Sequence, residues 1–143
     1  MCWWDFARWE KEIDFMAMNG INMPLTPIGS EAVWYETLQE FNFTKEEALG
    51  FISGPAFWAW QLMTNIDSYI PPKSEEYVYN RLELGKKIIE RCVEFGMQPI
   101  QQGFSGHVPT LLKEKYPNVT VNVVSNKKER NEKNKGKPWK NRE

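Results

Sequence analysis

Residues 19–34, NGINMPLTPIGSEAVW, decide how the 143-residue chain reads. Asn19-Gly20 tolerates the left-handed backbone that closes a helix. Residues 21–26 then run apolar with little alternation, as a strand buried on both faces does. Pro24 removes a ladder donor and marks a bulge or an irregular strand end. Thr26-Pro27-Ile28-Gly29 is loop. Ser30 is placed to cap a second helix, with Val33, Trp34 and Leu38 on its buried side. One carboxylate, Glu31, stands at this passage from strand to helix.

Upstream, Asp5 is the expected N-cap of a helix over residues 6–18, in which Phe6, Trp9, Ile13 and Met16 form one apolar stripe. Residues 1–4 are few, and fit the end of a strand. Downstream, Thr44 and Glu47 have capping-box spacing and open a helix that ends near Ser53-Gly54. An aromatic segment follows over residues 56–63, then a connector over 69–73. The longest helix runs from Lys73 or Ser74 to about Glu94. Val78, Leu82, Gly85, Ile89 and Cys92 share one face, joined by Ile88 and Val93, and Phe95-Gly96 closes it.

The helix-to-strand logic then repeats. Residues 97–102 read as a second strand, 103–107 as a loop ending in His107, and 108–115 as a short helix. Residues 119–124 alternate Val with polar residues and fit either a strand or an unanchored segment. Alternation of this kind belongs to βα units around a parallel sheet. The expected class is therefore α/β, with about three βα units, too few to close a barrel.

Composition bounds the function. Apolar residues make up 41% of the chain, enough for a core, and seven Trp lift the aromatic share to 14%. No run approaches the roughly 18 apolar residues that span a bilayer, so no membrane partner is expected. The first residues carry neither a basic region nor an apolar core of a secretory signal, which leaves the compartment open. Cys2 and Cys92 lie far apart, without metal-ligand spacing, and read as reduced thiols.

Net charge of −1 hides a split. Residues 125–143 hold eight basic and three acidic side chains, a balance of +5, which leaves 10 basic and 16 acidic residues and a balance of −6 elsewhere. The expected division is a folded body over residues 1–124 and a disordered basic tail over 125–143, because Lys, Asn, Glu and Arg cannot bury enough surface to offset ordering entropy. The tail lacks the interleaved aromatics that would make nucleic-acid binding specific, so no nucleic-acid partner is expected.

The chain holds no phosphate-binding glycine loop, no metalloprotease motif and no serine nucleophile elbow. One His and two separated Cys do not make a zinc site, and no cofactor or metal is expected. Glu31 follows Gly29-Ser30 at the end of an expected parallel strand, where α/β folds bind ligands. It fits that role, or that of a solvated first-turn Glu favoured by the helix dipole. His107 occupies the equivalent place after the second strand, as a pocket residue or a satisfied loop histidine. Trp3, Trp4, Trp34, Trp58 and Trp60 suit stacking on sugar rings, and suit the core equally.

Residues 3–34, WWDFARWEKEIDFMAMNGINMPLTPIGSEAVW, resemble the α-N-acetylglucosaminidases of glycoside hydrolase family 89, whose pattern there runs WWDWxRWExxIDWMALxGINxxLAxxGQEAxW. GPAFWAW at residues 54–60 resembles the family's GPAFLAW. FGMQPIQQGFSGHVP at residues 95–109 resembles its FGMxPVLPAFAGHVP, and the likeness continues to about Thr120. In all it covers about residues 3–122.

The resemblance implies part of a TIM-like (β/α) barrel. It also implies a retaining glycosidase that releases terminal α-linked N-acetylglucosamine from glycans, in animals from lysosomal heparan sulfate. Retention takes two carboxylates about 5–5.5 Å apart. In the family both glutamates lie beyond the matched stretch, so the resemblance implies a fragment inactive alone, with the remainder of the barrel missing and a glycan ending in N-acetylglucosamine as partner. A non-catalytic carbohydrate-binding or interaction remnant is the alternative. The matching positions give Gly29, Ser30, Glu31 and His107 substrate-side roles, Glu31 accepting hydrogen bonds from sugar hydroxyls. Ser30 departs from the family's Gln, Thr26-Pro27-Ile28 from a smaller loop, and Phe6 and Phe15 from Trp. The composition shift after about Val123, and the start at Met1 within an expected strand, are what a truncated or misjoined chain would show.

Overall fold

A computed structural model describes residues 2–122. Six helices follow in order: α1 (Phe6–Met18), α2 (Ser30–Glu40), α3 (Lys45–Phe51), α4 (Trp58–Leu62), α5 (Glu75–Glu94) and α6 (Leu112–Lys115). The first five belong to one compact unit, Met1–His107. The last belongs to a second, from Val108 onward, in which α6 is a single turn closed by Tyr116 N–H donating to the Leu112 carbonyl.

The termini follow local chemistry. Asp5 caps α1 by accepting from the Arg8 N–H at 2.9 Å. Gly20, at φ +75°, supplies the left-handed exit. Thr44 and Glu47 close both arms of a capping box on α3, at 3.2 and 2.8 Å. Gly96 turns the chain out of α5 at φ +71°. Ser30 departs from expectation. The N-cap of α2 is Gly29, and the Ser30 hydroxyl donates back to the Pro27 carbonyl instead.

The expectation of an α/β partial barrel with about three βα units is overturned. Among the described residues there is no strand and no sheet, only one parallel bridge between Leu25 and Ile100. Three backbone bonds join the two extended segments: Gln98 N–H to the Asn22 carbonyl, Ile100 N–H to Pro24 and Thr26 N–H to Ile100. The physical reason is twofold. Pro24 and Pro99 each remove a donor, and a lone parallel pair is marginal without further strands. Residues 2 and 3 form a turn rather than a strand end, and residues 119–122 form no strand. The expected disordered tail lies outside the described residues.

The first segment also alternates, where burial on both faces was expected. Pro24, Thr26 and Ile28 face inward, while Met23 and Leu25 are 56% and 62% exposed. Ile13 of α1 and Ile88 and Cys92 of α5 meet Ile28 and Met97 in a core closed by Trp9, Met16 and Leu84. Cys92 is a free, fully buried thiol whose pKa burial pushes up. Val93, expected on the inner face of α5, is exposed. Arg91 ties α5 to α1 by donating to Asp14 at 2.9 Å.

Candidate functional site

The passage from residue 26 to residue 31 is clamped onto α5. Gly29 adopts φ +96°, which a side chain resists, and a Cβ there would stand 3.3 Å from the Leu82 Cα. Gly85 returns the fit, since a Cβ on it would collide with the Ile28 carbonyl oxygen. The two glycines let loop backbone and helix backbone touch.

Glu31 locks this crossing. Its side chain is fully buried. One oxygen accepts the Gly29 N–H at 2.8 Å, and the other faces Arg81 Nε at 3.3 Å. Burial pushes its carboxyl above the ordinary range, opposed by backbone donors and by the Arg81 guanidinium. Tyr77, one turn before Arg81, has a buried hydroxyl with no hydrogen-bond partner among the described residues. Burial and the nearby Glu31 charge push that phenol up to about 12.

Above the clamp lies an open cavity of about 630 Å³. Gly29 and Ser30 form part of its floor, and α2 contributes Val33, Trp34 and Thr37. Residues 101–105 and His107 form the facing wall. Four rings run along this side: Trp34 lies 5.9 Å from Phe104 and 5.4 Å from Phe51, and Phe51 meets His107 edge-on at 5.4 Å. Phe104 remains 74% exposed. Polar groups at the cavity include Ser30, Gln101, Gln102 and Ser105, and among the described residues the lining contains no carboxylate. Aromatic faces with a few placed polar groups suit a ligand with apolar ring faces and hydroxyl edges.

Of the four residues singled out in the sequence, three line this cavity: Gly29, Ser30 and His107. Glu31 sits beneath it, both oxygens engaged. His107 Nε2 bonds Asp67 Oδ2 at 2.9 Å. Arg81, Asp67 and Phe104 were not singled out. Arg81 had a readable signal, because it falls beside Val78, Leu82 and Gly85 on the apolar stripe of a helix, where a charge needs a partner. Asp67 had none, since it comes from a loop 40 residues away from His107. Among the described residues no cluster of His, Cys, Asp or Glu could hold a metal ion.

Residues 1–140 match the family model described as the alpha-N-acetylglucosaminidase (NAGLU) tim-barrel domain. Human alpha-N-acetylglucosaminidase is 40% identical over 119 residues, which are 83% of this chain and 16% of the human protein. A family 89 glycoside hydrolase from Clostridium perfringens, solved with 2-acetamido-1,2-dideoxynojirmycin, superposes with a TM-score of 0.78 at 43% identity. It covers 82% of this chain and 13% of its own. A double Glu-to-Gln variant of a Clostridium perfringens enzyme of this family, solved in complex with its substrate GlcNAc-alpha-1,4-galactose, matches equally well. The chain thus spans about a sixth or less of the length of these relatives.

Proposed function

The chain belongs to the alpha-N-acetylglucosaminidases, the glycosidases of family 89, and from that membership we propose that it supplies part of the wall of a site for terminal α-linked N-acetylglucosamine, without hydrolysing the glycan alone. The observation that carries the reading is the cavity itself. Trp34 and Phe104 offer ring faces, and Ser30, Gln101, Gln102 and Ser105 offer edges to hydroxyls. In this reading Gly29, Ser30 and His107 touch the sugar. The substrate-side role expected of Glu31 is exerted from beneath, through the Gly29 N–H it holds.

The second half of the reading rests on what the lining lacks. Retaining hydrolysis takes one carboxylate as nucleophile and another as acid and base. Among the described residues the cavity lining has neither, and in this reading both groups are supplied from outside that lining. The folded unit then positions a sugar that residues elsewhere in such an enzyme cleave.

Two measurements on the purified 143-residue chain test this. GlcNAc-alpha-1,4-galactose should raise the unfolding temperature, and a chromogenic α-N-acetylglucosaminide should release no leaving group. Turnover abolished by Glu31→Gln would overturn the non-catalytic half. Absence of any sugar-dependent shift would overturn the binding half.

A further inference from the structure

Residues 103–107, which carry Phe104 into the cavity, make no backbone-to-backbone hydrogen bond among the described residues. Side chains at their two ends hold them instead, Gln102 just before them and His107 at their close, and both reach one neighbouring segment. Gln102 Nε2 donates to the Leu62 carbonyl at 2.7 Å, and His107 Nε2 meets Asp67 Oδ2 at 2.9 Å. That segment is itself fixed. Ser68 N–H donates to Phe51, Gly54 N–H donates to Tyr69, and Tyr69 N–H donates to Ser53 Oγ. It contains three non-glycine residues at positive φ, namely Thr64 at +60°, Ser68 at +57° and Ile70 at +49°. β-branched residues resist that conformation, and surrounding structure must impose it. Ser68 Oγ also donates to Asp67 Oδ1 at 2.8 Å, so both carboxylate oxygens are aimed.

The hydrogen in the Asp67–His107 contact belongs to the imidazole, because a carboxylate only accepts. The other ring nitrogen, Nδ1, is buried and has no partner among the described residues. A bare lone pair is tolerated there better than an N–H with nothing to receive it. Both ends of the ring therefore select the same tautomer, with hydrogen on Nε2.

We propose that Asp67 is a positioning residue of the cavity: by accepting the His107 Nε2–H it fixes the imidazole in one tautomer and seats residues 103–107, with Phe104, as the cavity wall. The donor of His107 is consumed in this bond, so the residue serves as wall rather than as proton donor to a ligand. The effect on sugar binding rests on the function proposed above, whereas the tautomer does not.

His107 is the single histidine of the chain, so one imidazole spin system reports the result. Long-range ¹H–¹⁵N correlation of the full chain should show Nε2–H and a bare Nδ1. Asp67→Ala should give a mixture of tautomers and faster amide exchange over residues 103–107. Asp67→Asn should preserve the tautomer, since its amide oxygen still accepts. In a parallel titration with GlcNAc-alpha-1,4-galactose, Asp67→Ala should weaken binding by about tenfold and Asp67→Asn should restore most of it. A wild-type ring with hydrogen on Nδ1, or a tautomer unmoved by Asp67→Ala, would overturn the proposal. An altered tautomer with unchanged sugar affinity would overturn its claim on the cavity wall. Should the wild-type chain bind no sugar, the function proposed above fails, and the tautomer comparison still decides the role of Asp67.

Discussion

Arg81 Nε lies 3.3 Å from Glu31 Oε1, and the two side chains are 11% and 0% exposed. The pair joins the first turn of α2 to the second turn of α5 across 50 residues of sequence. Removing one member of a buried pair leaves an uncompensated charge, which costs about 3–5 kcal/mol. Arg81→Met should therefore lower the free energy of unfolding by about that amount, measured in urea at pH 7.5. Glu31→Gln should cost less, because the Arg81 guanidinium it leaves behind is 11% exposed and reaches water, whereas Glu31 is fully buried. The double variant should be more stable than Arg81→Met alone, since no buried charge is left behind. Additive losses would show that the two side chains do not act as a pair.

The same carboxylate sets a pH dependence of unusual sign. Burial raises the Glu31 pKa in the folded chain above its value of about 4.3 in the unfolded chain. Between those two values the folded chain binds more protons than the unfolded one, so stability falls as pH rises. The contribution of Glu31 is full below the unfolded value and is lost as pH climbs through the folded value. Arg81→Met removes a cation that opposes the shift, so its destabilisation should shrink from pH 7.5 to pH 4.5. Glu31→Gln should abolish the difference, as paired unfolding curves at the two pH values would show.

How much of this was legible in the sequence depends on whether the determinant was local. Asp5, Thr44 with Glu47, and Gly20 each act within four residues, and all three helix boundaries were readable. The strands were not, because a strand is made by its neighbours, and among the described residues two short segments find only each other. Pro24 was the visible warning. Gly29, Ser30 and His107, singled out for substrate-side roles by family likeness, line the cavity. The burial of Glu31 was not, because Arg81 approaches it from α5 through tertiary packing alone.

Gly85 and Gly20 separate close packing from backbone freedom. Gly85 lies inside α5, where Ala has the better helix propensity, yet its Cβ would strike the Ile28 carbonyl oxygen. Gly85→Ala should destabilise by about 2 kcal/mol or more, as overpacked positions do, and should reduce sugar-dependent stabilisation by lifting the loop that carries Gly29 and Ser30. Gly20→Ala meets no atom within 4 Å and carries only the cost of a left-handed residue, about 1–2 kcal/mol, without effect on the cavity. Equal sensitivity of sugar binding to both substitutions would refute the backbone crossing as the support of the floor.

Leu25 and Thr26 test the corrected reading of residues 21–26. A strand buried on both faces would make a charge at either position costly. Here Leu25 is 62% exposed, in an outward row with Ile21, Met23 and Ile100. Leu25→Lys should change the unfolding free energy by no more than about 0.5 kcal/mol, as exposed sites do. It should also lower binding of a hydrophobic dye, because it interrupts an exposed apolar patch. Thr26 faces inward, donating to the Ile100 carbonyl at 3.2 Å and accepting from Gln101 Nε2 at 3.0 Å. Thr26→Val keeps the shape and removes both bonds, and should cost about 0.5–1.5 kcal/mol, because the Ile100 carbonyl keeps the Thr26 N–H and the exposed Gln101 amide turns to water. A large loss at Leu25 would mean that its face is covered, and would restore the reading of a segment buried on both sides.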